Sequence, residues 1–137
     1  MLAEIEIIEI FKSTAEEIEV EYEYSTDTFY DVQVEQKTNQ WTLNLKLESL
    51  SKPLVKKSKR ALFQSHIEKP KAFMCLWDGQ IAGYLQVGHD IWNNRLRIWD
   101  LTVAKKFQRK SIGSKLMERA LFEAKNCSAR AVILETQ

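Results

Sequence analysis

The stretch from Leu96 to Ala124 constrains the fold of this chain more than any other. Leu96-Arg97-Ile98-Trp99-Asp100-Leu101-Thr102-Val103 carries apolar residues often enough for a largely buried strand. Beyond a basic loop, Ile112, Leu116, Met117, Ala120, Leu121 and Ala124 recur at helical spacing, a stripe of about four turns. Asn126 is expected to cap that helix in a left-handed conformation. Arg130 to Glu135 then reads as a short, mostly buried strand, the second strand of a βαβ unit. Strand, basic loop, small residue, helix: this order aims free backbone N–H groups and the positive end of a helix dipole at one point. Such a point suits an anion, and a phosphate fits it. Gly113 would let the chain approach that anion without a Cβ in the way. The same pattern also describes a solvated basic turn between two core elements. No Gly-Lys-Ser/Thr follows, so the loop is not a P-loop, and with one glycine between Gln108 and Gly113 it is not a dinucleotide fingerprint.

The identities of the loop residues add a resemblance. Gln108-Arg109-Lys110-Ser111-Ile112-Gly113-Ser114-Lys115-Leu116 resembles the acetyl-CoA loop of the GNAT N-acetyltransferase superfamily, whose pattern is Gln/Arg-x-x-Gly-x-Gly/Ala. Leu101-Thr102-Val103-Ala104 looks like the end of that family's fourth strand. Leu134-Glu135-Thr136-Gln137 looks like the close of its fifth, and is similar to the streptothricin acetyltransferase branch. The resemblance covers about Phe73 to Gln137. It implies one GNAT-like domain over 1–137, an α/β (α+β) fold with a mixed, mostly antiparallel twisted sheet flanked by helices. Relative to the family pattern it is C-terminally shortened, lacking the segment that often carries a tyrosine general acid. An open edge on the last strand would follow, and with it self-association, most simply as a homodimer.

With 137 residues the chain is long enough for a core without disulfides or metals. A formal charge of +1 argues against a general nucleic-acid binder. Cys75 and Cys127 lie far apart in apolar or helical contexts and read as free thiols rather than a disulfide or a metal pair. No run approaches the roughly 20 apolar residues of a membrane span, and the acidic start is no signal peptide, so the expected location is cytoplasmic.

Upstream, Glu4 to Ile7 and Ile18 to Tyr24 alternate apolar residues with glutamate at period two, as half-buried strands do. Their carboxylates read either as a solvated face or as a wall that attracts a cation. Ser13-Thr14-Ala15-Glu16 suits a turn or a capping box, Ser25-Thr26-Asp27-Thr28 a turn, and Trp41 to Leu47 another alternating strand. Pro53 suits the first turn of a helix running to about His66, with Lys52, Lys56, Lys57, Lys59 and Arg60 on its water side. His66 is expected at the surface. Phe73 to Trp77, Asp78-Gly79 and Ile81 to Val87 predict a β-hairpin with a type I′ turn, and Trp92 to Arg95 the next turn.

The resemblance implies acetyl transfer from acetyl-CoA to an amine by direct attack, with no nucleophilic Ser or Cys and no metal. It places the pantetheine arm along Leu101, Thr102 and Val103, and the pyrophosphate on the backbone of Gln108, Arg109, Lys110, Ser111, Ile112, Gly113 and Ser114. The N–H near Val103 is the natural oxyanion donor. Ser111 stands where the pattern has its first glycine. Its hydroxyl would cap the helix or reach phosphate, and its Cβ would crowd the cofactor. Asp100 and Glu135 are the candidate bases. The acceptor implied is a small cationic amine such as a streptothricin-type antibiotic, with no nucleic acid and no membrane. The alternatives are a non-catalytic CoA-binding or protein-interaction domain, and a plain structural domain with an unused loop.

Overall fold

The computed structural model describes residues 2–13 and 18–136. The expected capping box over Ser13 to Glu16 therefore lies largely outside the described residues. The elements are β1 (Ile5–Ile10), β2 (Glu19–Lys37), β3 (Gln40–Ala61), β4 (Lys71–Trp77), β5 (Gln80–Asp90), β6 (Arg95–Val103), α1 (Ile112–Asn126) and β7 (Ala131–Leu134). The sequence reads as one domain over 1–137. Within it the chain gathers into two compact units, 1–20 with 59–137 and, separately, 21–58. The reason lies in pairing: β2 and β3 form a sheet of their own.

The larger unit is a five-stranded sheet in the order β1-β4-β5-β6-β7. The first three neighbouring pairs are antiparallel, and β7 runs parallel to β6. This is the mixed, mostly antiparallel sheet expected, with β6, α1 and β7 forming the βαβ unit. Asp78 and Gly79 both take positive φ, 45° and 77°, as a type I′ turn requires. Asp78 also holds the start of β1: its carboxylate accepts the Glu4 N–H at 2.8 Å, and its own N–H donates to the Glu4 carbonyl at 2.9 Å.

One face of the sheet presents Phe73, Cys75, Leu85, Val87, Leu96 and Ile98 to Ile112, Leu116, Ala120 and Ala124 of α1. The helical stripe is as expected except at Leu121, which is 48% exposed. Glu123 is buried instead, its carboxylate met by Lys71 Nζ at 3.0 Å and Arg119 Nη2 at 2.8 Å. The cap also differs. Asn126 is the last helical residue, and the left-handed residue is Ser128 at φ 54°. Ser128 N–H donates to the Lys125 carbonyl and Ala129 N–H to the Ala124 carbonyl, the paired bonds of a Schellman ending.

Two other expectations fail for one reason, the length of the hairpin. The helix expected from Pro53 to His66 is absent, and β3 continues through Pro53 to Ala61. In a two-stranded ribbon every strand is an edge strand, where a proline's missing N–H costs little. Leu54 and Val55 recur at helical spacing only seven residues on, as Ala61 and Leu62, with Lys57, Ser58 and Lys59 at the i+3 and i+4 positions between, so the helical stripe is broken and little opposed the extended form. Among the described residues α1 is thus the one α-helix, and the sheet has a helix on one face rather than helices around it. Likewise Ser25 to Thr28 is interior to β2, with Thr26 Oγ1 donating to the Thr28 carbonyl at 2.8 Å. His66 packs its ring edge-on against Trp99, centroids 5.0 Å apart.

Cys75 and Cys127 are both free, and burial pushes the Cys75 thiol pKa up. Among the described residues no helix is long and apolar enough to cross a membrane. The α1–sheet contact makes a direct prediction. Leu116 is fully buried, so Leu116→Ala should lower unfolding free energy by about 2–5 kcal/mol, read from the midpoint of a urea melt.

Candidate functional site

The site begins where two strands part. β7 pairs with β6 from Arg95 to Ile98, and β6 then runs on from Trp99 to Val103 without it. A bulge marks the change. Gln86 lies opposite Asp100 and Val87 opposite Ile98, which leaves Trp99 as the extra residue of β6. Bulges bend and twist the strand that carries them. On its other side β6 stays bonded to β5: Ala104 N–H donates to the Ala82 carbonyl at 2.8 Å, and the Thr102 carbonyl lies against Gly83, so close that a Cβ there would overlap it. By the alternation of an antiparallel ladder, the polar groups of Leu101 and Val103 then point to the open side. Thr102 turns its own carbonyl away from that side. The Gln108 side-chain amide reaches back to the Val103 carbonyl at 3.2 Å.

The open edge leads into the loop before α1. Phe107 is buried against Trp77 and anchors the loop's first half. Arg109 and Ser111 then take left-handed φ of 62° and 64°. Among the described residues, the amides from Arg109 to Ser114 find no protein acceptor, and the first loop-to-helix bond is Lys115 N–H to the Ser111 carbonyl. These amides border a cavity of about 220 Å³ lined by Val103, Phe107, Gln108, Arg109, Ser111, Ile112, Gly113 and Ser114. A Cβ at Gly113 would meet nothing nearer than Val103 Cγ2 at 3.9 Å, so the space over it is open. Lys110 rests its ammonium over the Trp77 ring, 5.3 Å from the centroid.

Ser111 makes no side-chain cap bond, contrary to one expectation. A capping serine needs extended φ and ψ, and the left-handed backbone turns its hydroxyl away. The cost of that conformation in a non-glycine residue is about 1 kcal/mol or more. A glycine in the family pattern at this position would avoid it.

The two candidate carboxylates occupy different surroundings. Asp100 is buried: Gln86 Nε2 donates to its Oδ2 at 2.6 Å, and Arg60 Nη1 lies 3.6 Å from its Oδ1. Gln86 in turn accepts the Phe63 N–H at 2.7 Å, and Arg60 donates to the Trp99 carbonyl at 3.3 Å. The whole cluster ties the end of β3 and the residues after it to the bulge. Glu135 has a side chain 86% exposed and accepts from Arg97 Nη1 at 2.7 Å. Bonds to Asp90 and then Glu135 raise the Arg97 pKa further. Glu135 lines a cavity of about 260 Å³ with Arg60, Arg97, Ile98, Trp99 and Thr136, where β6 and β7 part. The Trp99 indole N–H is buried beside Gly88 and has no acceptor among the described residues.

Gln86, Arg60 and Tyr84 escaped the sequence reading. Gln86 had a signal, a lone amide inside an apolar strand; Arg60 was hidden in the expected lysine-rich helix. Tyr84 sits directly opposite Thr102, and burial pushes its phenol pKa up.

With a sheet split at its fourth and fifth positions and an amide-lined loop at the split, comparison with known proteins is informative. The profile described as acetyltransferase (GNAT) family matches residues 27–137. The chain belongs to this family. The match extends upstream of the segment whose residues carried the resemblance. Among solved structures, a nourseothricin acetyltransferase shares the fold at TM-score 0.67 and 24% identity, over 96% of this chain and 73% of that one. A putative streptothricin acetyltransferase from Bacillus anthracis str. Ames, solved with acetyl coenzyme A, does so at 0.63 and 19%, over 97% and 75%. Among curated proteins none matches the sequence. GNAT enzymes are acetyltransferases that use acetyl-CoA, and the open loop of this chain fits the pyrophosphate of that co-substrate. Its unpaired amides, the space over Gly113 and the exposed Arg109 supply what a diphosphate needs.

Tyr84 gives a test of the environment beside β6. Unfolded, its phenol ionises near the ordinary 10.0; folded, it keeps its proton to higher pH. The unfolded state therefore loses the proton first, and stability present below that value is lost as pH rises through the folded pKa. Urea melts at about pH 9 and about pH 11 should show a smaller alkaline loss for Tyr84→Phe than for the parent chain.

Proposed function

We propose that this GNAT enzyme transfers the acetyl group of acetyl-CoA to the primary amine of a small cationic acceptor, by direct attack of the amine. One observation carries the reading: the open edge of β6 runs straight into a loop whose amides are unpaired. In this proposal Leu101 and Val103 hold the pantetheine arm as an added strand would, with Thr102 between them facing β5. The backbone from Gln108 to Ser114 holds the pyrophosphate, aided by Arg109, Lys110 and the N-terminal end of α1. When bound, acetyl-CoA supplies an activated acyl group. The chain's task is to orient it, steady charge at its carbonyl through the Val103 N–H, and take a proton from the amine.

Asp100 and Glu135 then divide the work. The Asp100 carboxylate is held by Gln86 and Arg60, so we assign it to positioning the bulge of β6. Glu135 is exposed in the cavity at the split and is the carboxylate an incoming ammonium can reach. A streptothricin-type antibiotic is the acceptor to try first, since a putative streptothricin acetyltransferase shares the fold, as does a nourseothricin acetyltransferase. The use of acetyl-CoA and the two free thiols accord with a cytoplasmic setting.

Calorimetry with CoA should show binding that Gly113→Glu abolishes, because that change adds bulk and negative charge beside the pyrophosphate. Retained affinity would sink the proposed loop. Ser111→Gly should tighten binding by removing a Cβ from the same spot. In a thiol-release assay with a panel of amines, Glu135→Gln should slow turnover by about tenfold or more and leave CoA affinity unchanged. Asp100→Asn should lower the melting temperature, whereas loss of turnover in a variant of undiminished stability would return the proton transfer to Asp100. CoA binding with no turnover on any amine would favour the non-catalytic reading.

A further inference from the structure

We propose that the cavity at the C-terminal end of α1 is a second ligand site, and that it takes a small organic acid, a carboxylate carried on an apolar body. The cavity measures about 300 Å³ and lies between the end of α1 and the adjoining ends of β4, β5 and β6. Asn126 on its wall closes the helix that Ile112 begins, so it lies about 21 Å along α1 from the loop assigned to the pyrophosphate. The two sites share the helix and no lining residue.

The floor of this cavity is apolar, formed by the buried core residues Val87 and Leu96. Its walls are cationic. The one acid among them, Glu123, has both oxygens engaged, Oε1 by Arg119 Nη2 at 2.8 Å and Oε2 by Lys71 Nζ at 3.0 Å. Two cations on one carboxylate leave an excess of one. Lys69 at the rim adds another, with no ion-pair partner among the described residues. The end of a helix would ordinarily offset this with bare carbonyls. Here three of the last four are taken: Cys127, Ala129 and Ser128 N–H donate to the carbonyls of Glu123, Ala124 and Lys125. The acceptors that would repel an anion are thus occupied within the chain, and the charge of Lys69 is left to a ligand.

The rim is held in place without a ligand. The Glu68 carbonyl accepts the His89 N–H at 3.0 Å, and its carboxylate accepts the Ile91 N–H at 3.0 Å. Lys69 follows at a left-handed φ of 42°, between this fixed residue and Pro70. His89 meets Asn94 Oδ1 through Nε2 at 2.8 Å, which anchors the ring and leaves Nδ1 uncommitted. An apolar floor, an anchored rim and a few convergent polar groups make a small-molecule pocket, and about 300 Å³ is the lower end of the usual size. The charge decides the class of ligand. An amine acceptor would face the cations, and a neutral apolar molecule would leave Lys69 unmatched. A bare phosphate would leave Val87 and Leu96 uncovered. A carboxylate on an apolar body satisfies both.

The probe is phenylacetate, with phenylacetamide as its neutral counterpart and inorganic phosphate as an anion without an apolar body. Cys127 lines the cavity and Cys75 is wholly buried, so alkylation of Cys127 in the full chain by iodoacetamide, followed by mass spectrometry, reports occupancy. Phenylacetate is expected to half-protect Cys127 at about 1 mM or below, and the amide and phosphate only at concentrations about tenfold higher or more. Lys69→Glu should raise the phenylacetate needed by about tenfold or more with the melting temperature unchanged, and Lys69→Gln should raise it less. No protection by phenylacetate up to about 20 mM overturns the proposal, as does equal protection by the amide or undiminished protection in Lys69→Glu. Phosphate as effective as phenylacetate would overturn the assignment to an organic acid. Saturating CoA and the Gly113→Glu change should each leave protection as it was. Loss of protection under either would place phenylacetate in the co-substrate loop and overturn the second site. Protection of Cys127 in a parent chain that fails to bind CoA would sink the loop assignment alone.

Discussion

Everything distinctive about the larger unit depends on β6 ceasing to pair with β7 after Ile98. A parallel pair with no interruption would consume the polar groups of Leu101 and Val103 and leave no edge. The bulge at Trp99 prevents this by adding one residue on the β5 side, which changes the direction of the strand while β5 keeps hold of it. The bulge is itself supported, since Arg60 bonds the Trp99 carbonyl and lies against Asp100, which Gln86 also holds. The edge, the cavity at the split and the direction in which the loop enters α1 are consequences of that single irregularity.

Much of this was visible in the residues. The order of β6, loop, α1 and β7, the Asp-Gly hairpin and the buried stripe of α1 all follow from local periodicity and turn chemistry. The candidate loop was legible too, because its residues are contiguous. What escaped depended on partners distant in sequence. The carboxylate of Asp100 is defined by Gln86, fourteen residues away, and by Arg60 on a different element. No local pattern reports such a meeting. Pro53 misled for a related reason: it suits a helix start in isolation, and only the presence of β2 alongside shows that an extended edge will accept it. Leu121 and Glu123 exchanged expected places because Lys71 and Arg119 provide Glu123 with two cations at the sheet.

The sheet therefore holds a buried acidic side chain with a basic partner against each of its faces. Glu123 is fixed between α1 and β4, and Asp100 between β5 and the end of β3. Removing either partner of such a pair strands a charge away from water, a penalty of several kcal/mol, while the intact pair contributes far less. Arrangements of this kind discriminate strongly between the native packing and a shifted one. A slip of β6 by one residue would carry Asp100 away from Gln86 and Arg60 at the same time, so the register that opens the edge is also the one the charges select.

The position of the β2–β3 hairpin also shapes the route by which the chain finds its fold. Ile10 of β1 pairs with Ala72 of β4, with about 60 residues between them. Closing a loop of that length before anything else had formed would be entropically expensive and slow. The hairpin, however, needs contacts only across a two-residue turn, and such ribbons zip in microseconds. Once it has formed, Leu62 N–H can meet the Ile18 carbonyl at its base, and about 20 residues remain to be closed. By the logarithmic dependence of closure entropy on length, that shortening is worth about 1 kcal/mol. An excursion that looks long along the sequence is short by the time β1 docks.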